Sequence, residues 1–183
     1  MRIGAAFDSV LTAAQGDAPW AYERLWRAFA PPVVSYLRLQ GASDPDDLSS
    51  EVFLGAFRGL RSFTGDEDQF RGWLFTIAHR RITDERRRAG VRPQWGGTGD
   101  VPEVAGGDAE DDALRALGEA RVRDLCQRLA PAQRDVLLLR LVADLTVEQV
   151  ATALDRTPGA VKALQRRGLV ALRGILRHEG VPL

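Results

Sequence analysis

The chain has 183 residues, 45% hydrophobic and 27% charged, and its 25 basic and 25 acidic side chains cancel to zero net charge. That length carries one or two small domains with packed cores. A single cysteine and two widely separated histidines, His79 and His178, exclude a disulfide framework and a zinc or catalytic His/Cys cluster, and the zero net charge argues against indiscriminate nucleic-acid binding.

No apolar run is long enough to span a bilayer, and the first 20 residues show helical periodicity without a signal-peptide cleavage region. The sequence therefore predicts a soluble cytoplasmic protein without metal or cofactor. Periodicity of 3.6 residues is nearly continuous and nothing alternates like a strand for long, so the fold class is all-α. Helices are predicted over 3–14, 18–40, 45–61, 68–89, 113–129, 132–143, 147–154 and 158–177. Pro31-Pro32 should kink or split the second of them.

The third helix opens with Asp44 as N-cap and Pro45 at the first helical position, and Asp46 and Asp47 suit the positive end of its dipole. Leu48, Val52, Phe53, Ala56, Phe57 and Leu60 form its apolar stripe, while Glu51, Leu54 and Arg58 face elsewhere. In the fourth helix Phe70, Trp73, Leu74, Ile77 and Ala78 recur at helical spacing and lead into Arg80, Arg81, Arg86, Arg87, Arg88 and Arg92. Such a stripe is ordinary core. Beside a dense positive patch it also suits single-strand binding, which needs a charged track and flat faces for unstacked bases.

Residues 90–112, GVRPQWGGTGDVPEVAGGDAEDD, are rich in Gly and Pro, acidic and aperiodic, and read as a linker between a domain at 1–89 and another at 113–183. Twelve of the thirteen aromatic residues lie at or before Phe75, so the second domain has an aliphatic core. Cys126 falls in the apolar series Val122, Leu125, Cys126, Leu129, as a buried, inert thiol would. When the linker is relaxed, its acidic run Asp108–Asp112 is expected to approach the arginine block and partly mask it.

Leu145 to Arg173 reads as a helix-turn-helix. Thr146 and Gln149 have the spacing of a capping box, Asp155-Arg156-Thr157 forms a short polar turn, and Thr157 caps a second helix with Pro158 at its first position. That helix buries Val161, Leu164, Leu169 and Leu172 and turns Lys162, Gln165, Arg166 and Arg167 outward; Arg156 to Arg177 holds six basic residues and no acidic one. A helix of this kind suits phosphate and base-edge contacts in a major groove, although a helical hairpin with a solvated basic face has the same pattern.

DDLSSEVFLGAF, FRGWLFTIAHRRITDERRR and LAPAQRDVLLLRLVADLTVEQVATALDRTPGAVKALQRR, in that order, resemble the extracytoplasmic-function (ECF) group of bacterial RNA polymerase sigma factors. The likeness covers region two from Phe7 to Gly90 and region four from Leu114 to Leu176. It implies a promoter-specificity subunit, not an enzyme. It also implies core-polymerase contacts from Asp44, Asp47, Leu48, Glu51, Leu54 and Arg58 to the β′ clamp helices, with the β flap as a further site. Minus-ten recognition and melting would fall to Phe63, Phe70, Trp73, His79, Arg80, Arg81, Asp84, Arg87 and Arg88. Minus-thirty-five reading would fall to Thr157, Pro158, Gly159, Ala160, Lys162, Ala163, Gln165, Arg166 and Arg167. The linker would occupy the RNA channel, and an anti-sigma factor would be the regulatory partner. The chain departs from the family pattern at Ser50, where Gln is frequent, at Arg80, where Asn is frequent, and at Ala163-Leu164, where Ser-Arg is frequent.

Two other readings are available. An autonomous helix-turn-helix regulator would bind operators without polymerase, as a dimer with a sensory domain, but the N-terminal half shows no βα alternation. A nuclease would need convergent metal-binding carboxylates, whereas Asp44, Asp46 and Asp47 crowd one helix start, where capping accounts for them.

Overall fold

A computed structural model describes residues 2–91 and 109–179, with side chains for 2–90 and 118–179. Every regular element among the described residues is helical. A short 3₁₀ turn at Gly4–Ala6 leads into α1 (Phe7–Gln15), followed by α2 (Pro19–Gln40), α3 (Pro45–Gly59) and α4 (Glu67–Val91). The second half holds α5 (Ala109–Gln127), α6 (Pro131–Leu141), α7 (Val147–Ala153) and α8 (Pro158–His178).

The local chemistry explains most of the boundaries. Asp44 Oδ1 accepts the backbone N–H of Asp47 at 2.9 Å and starts α3, with Pro45 just inside. Gly41, at φ +87°, ends α2 in the left-handed region that a side chain resists. The 3₁₀ turn at Gly4–Ala6 is anchored by the buried Glu67 carboxylate, which accepts the N–H groups of Ile3 and Gly4 at 2.7 and 2.8 Å.

Two expectations need correction. Pro31 and Pro32 do not split α2, which runs unbroken through both. Each proline removes one backbone donor, but Ala28, Phe29, Ala30 and Val33 around the pair are buried, and packing holds the helix together there. The fifth helix begins at Ala109 rather than 113, inside the stretch assigned to the linker. The rest of that linker, and with it the expected approach of Asp108 to the arginine block, lies outside the described residues.

The first half packs around aromatic rings. Phe70, fully buried, has ring centroids 5.7 Å from Phe7, 5.1 Å from Phe29, 5.5 Å from Phe63 and 5.8 Å from Trp73. The second half is aliphatic, built on Val136, Leu139, Leu145, Val150, Val161 and Leu164. The two cores are continuous, because α7 lies against α4 while α5 and α6 lie against α2.

Candidate nucleic-acid interface

The helix-turn-helix forms as its caps require. Thr146 Oγ1 accepts the N–H of Gln149 at 3.2 Å while Gln149 Oε1 accepts the N–H of Thr146 at 2.8 Å, which closes the capping box of α7. Asp155 turns the chain at φ +51°, a region that Asp tolerates better than most side chains. Thr157 then accepts the N–H of Ala160 at 3.2 Å and starts α8.

Helix α8 is held from below by Val161, Leu164 and Gly168, all buried. A Cβ on Gly168 would stand 2.9 Å from Leu137 Cδ1 and 3.3 Å from Gln133 Cβ, so α6 and α8 pack closely here and any side chain at 168 must displace Leu137. The opposite face is open. Thr157, Pro158, Gly159, Lys162, Arg166 and Arg167 are exposed, and Ala160, Ala163 and Gln165 are half-buried. Lys162 and Arg166 stand about 40° apart around the axis, and Arg167 about 100° further on, by helical geometry. The first two therefore share a stripe with Gly159, and Ala163 and then Arg167 flank it.

In the first half, α4 carries the second basic surface. Arg80, Arg87 and Arg88 are exposed, with Arg87 paired to Asp84 at 3.0 Å. Arg81 leans across to Glu51 on α3 at 3.5 Å. Arg86 turns inward, donating to the Gln40 carbonyl at 2.5 Å and to the Gln40 side-chain oxygen, and approaching Asp135 of α6 at 3.6 Å. Beside it His79 Nδ1 lies 3.0 Å from the Tyr36 hydroxyl. Burial lowers the His79 pKa and keeps the ring neutral; the same burial pushes the Tyr36 hydroxyl well above its ordinary value.

The aromatic candidates divide. Phe63 and Trp73 stack at 5.1 Å and 26°, both half-buried, with Trp73 drawn over Gly59. Phe70 is core, because four rings surround it and none of its surface is left for a base. Burial likewise removes Leu48 from the exposed set on α3, where it belongs to the packed stripe. Asp44, Asp47, Leu54 and Arg58 remain exposed there, and Leu54 shows 56% of its surface, an unusual exposure for leucine in a packed helix. Sequence reading missed Gln40 and Asp135. Their signal, a polar residue ending one apolar helix and a carboxylate beginning another, does not say that the two meet.

Comparison with known proteins follows the same division. Residues 25–92 match the family Sigma-70 region 2, and residues 126–174 match Sigma-70, region 4. The chain is 32% identical over 170 residues to the ECF RNA polymerase sigma factor BldN of Streptomyces coelicolor, covering 91% of this chain and 64% of that protein. It is 30% identical over 178 residues to the ECF RNA polymerase sigma factor SigD of Mycobacterium tuberculosis, covering 93% of this chain and 84% of that one. Among solved structures it is similar in fold to CnrH, determined in complex with the cytosolic domain of CnrY, with a TM-score of 0.71, 23% identity, and coverage of 94% and 98%.

Proposed function

The chain belongs to the ECF group of RNA polymerase sigma factors, and from that membership we propose that it binds RNA polymerase core and directs initiation at a restricted promoter set. RNA synthesis is then the polymerase's chemistry, and this chain supplies recognition and strand opening. The carrying observation is the unpaired stripe on α8: Lys162 and Arg166 are exposed and, among the described residues, in no ion pair. Guanidinium and ammonium groups so placed can reach base edges while Thr157 and the first turn of α8 take a phosphate.

The division of labour is part of the proposal. Helix α3 offers Asp44, Asp47, Glu51, Leu54 and Arg58 to the polymerase clamp, and the second half reaches the flap. Helix α4 offers Arg80, Arg87 and Arg88 to the minus-ten strand backbone and the Phe63–Trp73 stack to extruded bases. Trapping those bases must offset unstacking of a few kcal/mol each. An anti-sigma factor regulates the chain in the cytoplasm. Among the described residues no helix is long and apolar enough to cross a membrane.

Run-off transcription with purified core polymerase tests the reading. Promoter-specific transcripts that depend on this chain, and a footprint covering both elements only when core is present, are expected. A footprint as strong without core would favour the autonomous regulator instead.

A further inference from the structure

We propose that Gln15, at the end of α1, is a positioning residue for strand opening, an inference that rests on the base-trapping role proposed above. Its amide fixes in advance the backbone that carries Phe63, so that the Phe63–Trp73 stack stands ready for an extruded base.

The loop between α3 and α4 has little regular structure of its own. After a 3₁₀ turn at Leu60–Ser62 the chain extends at Phe63, with φ −74° and ψ 133°. It then swings through Gly65 at φ +151° before Asp66 caps α4. Both backbone groups of Phe63 are nevertheless bound. Its N–H donates to the Leu60 carbonyl at 3.0 Å, and its carbonyl accepts from Gln15 Nε2 at 2.8 Å. The same nitrogen donates to the Leu60 carbonyl at 3.1 Å. One half-buried amide thus holds both ends of the turn and sets the peptide planes on either side of Phe63. Those planes fix the direction of the Cα–Cβ bond, and with it the ring that stacks on Trp73 at 26°.

The corner between α1 and α2 grips the same turn a second time. Asp17 stands at φ +63°, and its carboxylate pairs with Arg61 and accepts the Tyr22 hydroxyl at 2.9 Å. Further back, Phe7 of α1 packs on Phe70, which in turn meets both Phe63 and Trp73. Of these side chains only Gln15 bonds to the backbone of Phe63 itself.

The consequence lies in when the loop is ordered. Trapping a base must already offset its unstacking, and freezing the loop at the same moment would add an entropic cost. Gln15 moves that ordering out of the opening step and into folding, which is preorganisation. Loss of its two donations should therefore slow opening. Binding to intact duplex, which draws on α8 and on the exposed arginines of α4, should persist.

Gln15→Met keeps the length of the side chain and removes both donations. The experiment uses core polymerase with the full-length chain, on a promoter found by the run-off transcription above, with 2-aminopurine in its minus-ten element. The fluorescence rise reads opening, and titration in the cold reads closed-complex affinity. Gln15→Met should open the promoter about fivefold or more slowly, the scale of ordering one residue's backbone. Its closed-complex affinity should stay within about twofold of the natural chain, well short of that scale. Gln15→Asn, a methylene shorter, withdraws the amide from both carbonyls and should give the same split. Val10→Ala trims a buried side chain about one and a half turns earlier on α1 and controls for stability. It should lower the melting temperature and leave the opening rate unchanged. Opening as fast in both Gln15 variants as in the natural chain overturns the assignment. So does equal slowing by Gln15→Met and Val10→Ala, which reduces Gln15 to a stability contact. A natural chain that opens no promoter with core fails the proposed function itself, and this inference falls with it.

Discussion

Arg81 lies across α3 with its guanidinium 3.5 Å from the Glu51 carboxylate and 3.7 Å from where a Cβ would stand on Gly55. The residue proposed for polymerase docking thus pairs with a residue of the arginine block. Both side chains are more than a third exposed, so the pair contributes only about 0–1 kcal/mol to stability. Glu51→Arg should leave helicity and melting temperature nearly unchanged and weaken binding to core polymerase. Equilibrium titration of core with labelled protein measures this, and an unaltered affinity removes Glu51 from the interface.

The recognition helix should show two classes of loss. Alanine at Lys162 or Arg166, on the shared stripe, should cost about 1–3 kcal/mol and relax selectivity at one promoter position. Alanine at Arg167, which flanks that stripe, should weaken all sequences alike and reduce the salt slope by about one. Binding to a panel of minus-thirty-five variants at two salt concentrations separates the classes. Unchanged promoter choice after substitution of all three would mean that α8 does not read the groove.

The crossing of α6 and α8 predicts a packing defect. Gly168→Leu must displace Leu137 and Gln133 and should cost about 1–3 kcal/mol, read as a lower midpoint in chemical denaturation. Adding Leu137→Ala should recover part of the loss by vacating the space. If the double variant is no more stable than the sum of the single effects predicts, Leu137 is not the obstacle.

Acid should loosen the fold through His79. Burial beside Tyr36 and Arg86 lowers its pKa, and the nearby Asp135 only partly opposes this. The unfolded chain takes up the proton near pH 6.5 while the folded chain resists it. The contribution of neutral His79 is therefore complete above about pH 6.5 and is lost as pH falls through the lower folded value. Melting temperatures from pH 7.5 to 5.5 should drop less steeply in His79→Gln than in the natural chain, and parallel slopes would count against this assignment.

The elements most legible from sequence were those whose ends carry their own chemistry. Asp44, Thr146 and Thr157 each announce a helix start by a side chain that caps within three residues, and each cap is present. Pro31-Pro32 does not split α2 because a local rule meets a buried face that holds the helix together. Phe70 and Trp73 share one periodic stripe, and periodicity does not distinguish a ring enclosed by four others from one left half-open. The meeting of the halves was not legible at all. Gln149 donates to the Asp68 carbonyl across 81 residues of sequence, and Arg86 faces Asp135, and no local pattern announces either pairing.

Gly72 bears on how freely such proteins can be recombined. A Cβ there would stand 3.2 Å from the Gln149 amide nitrogen, so that side chain would have to give by a few tenths of an ångström. Position 72 in one half and position 149 in the other are thus jointly constrained. A chimera that takes its promoter-reading half from another sigma factor inherits one side of that constraint without the other. Designers who exchange these halves to create new promoter specificities should move the two positions as a pair, or expect a hybrid whose resting shape differs from that of both parents.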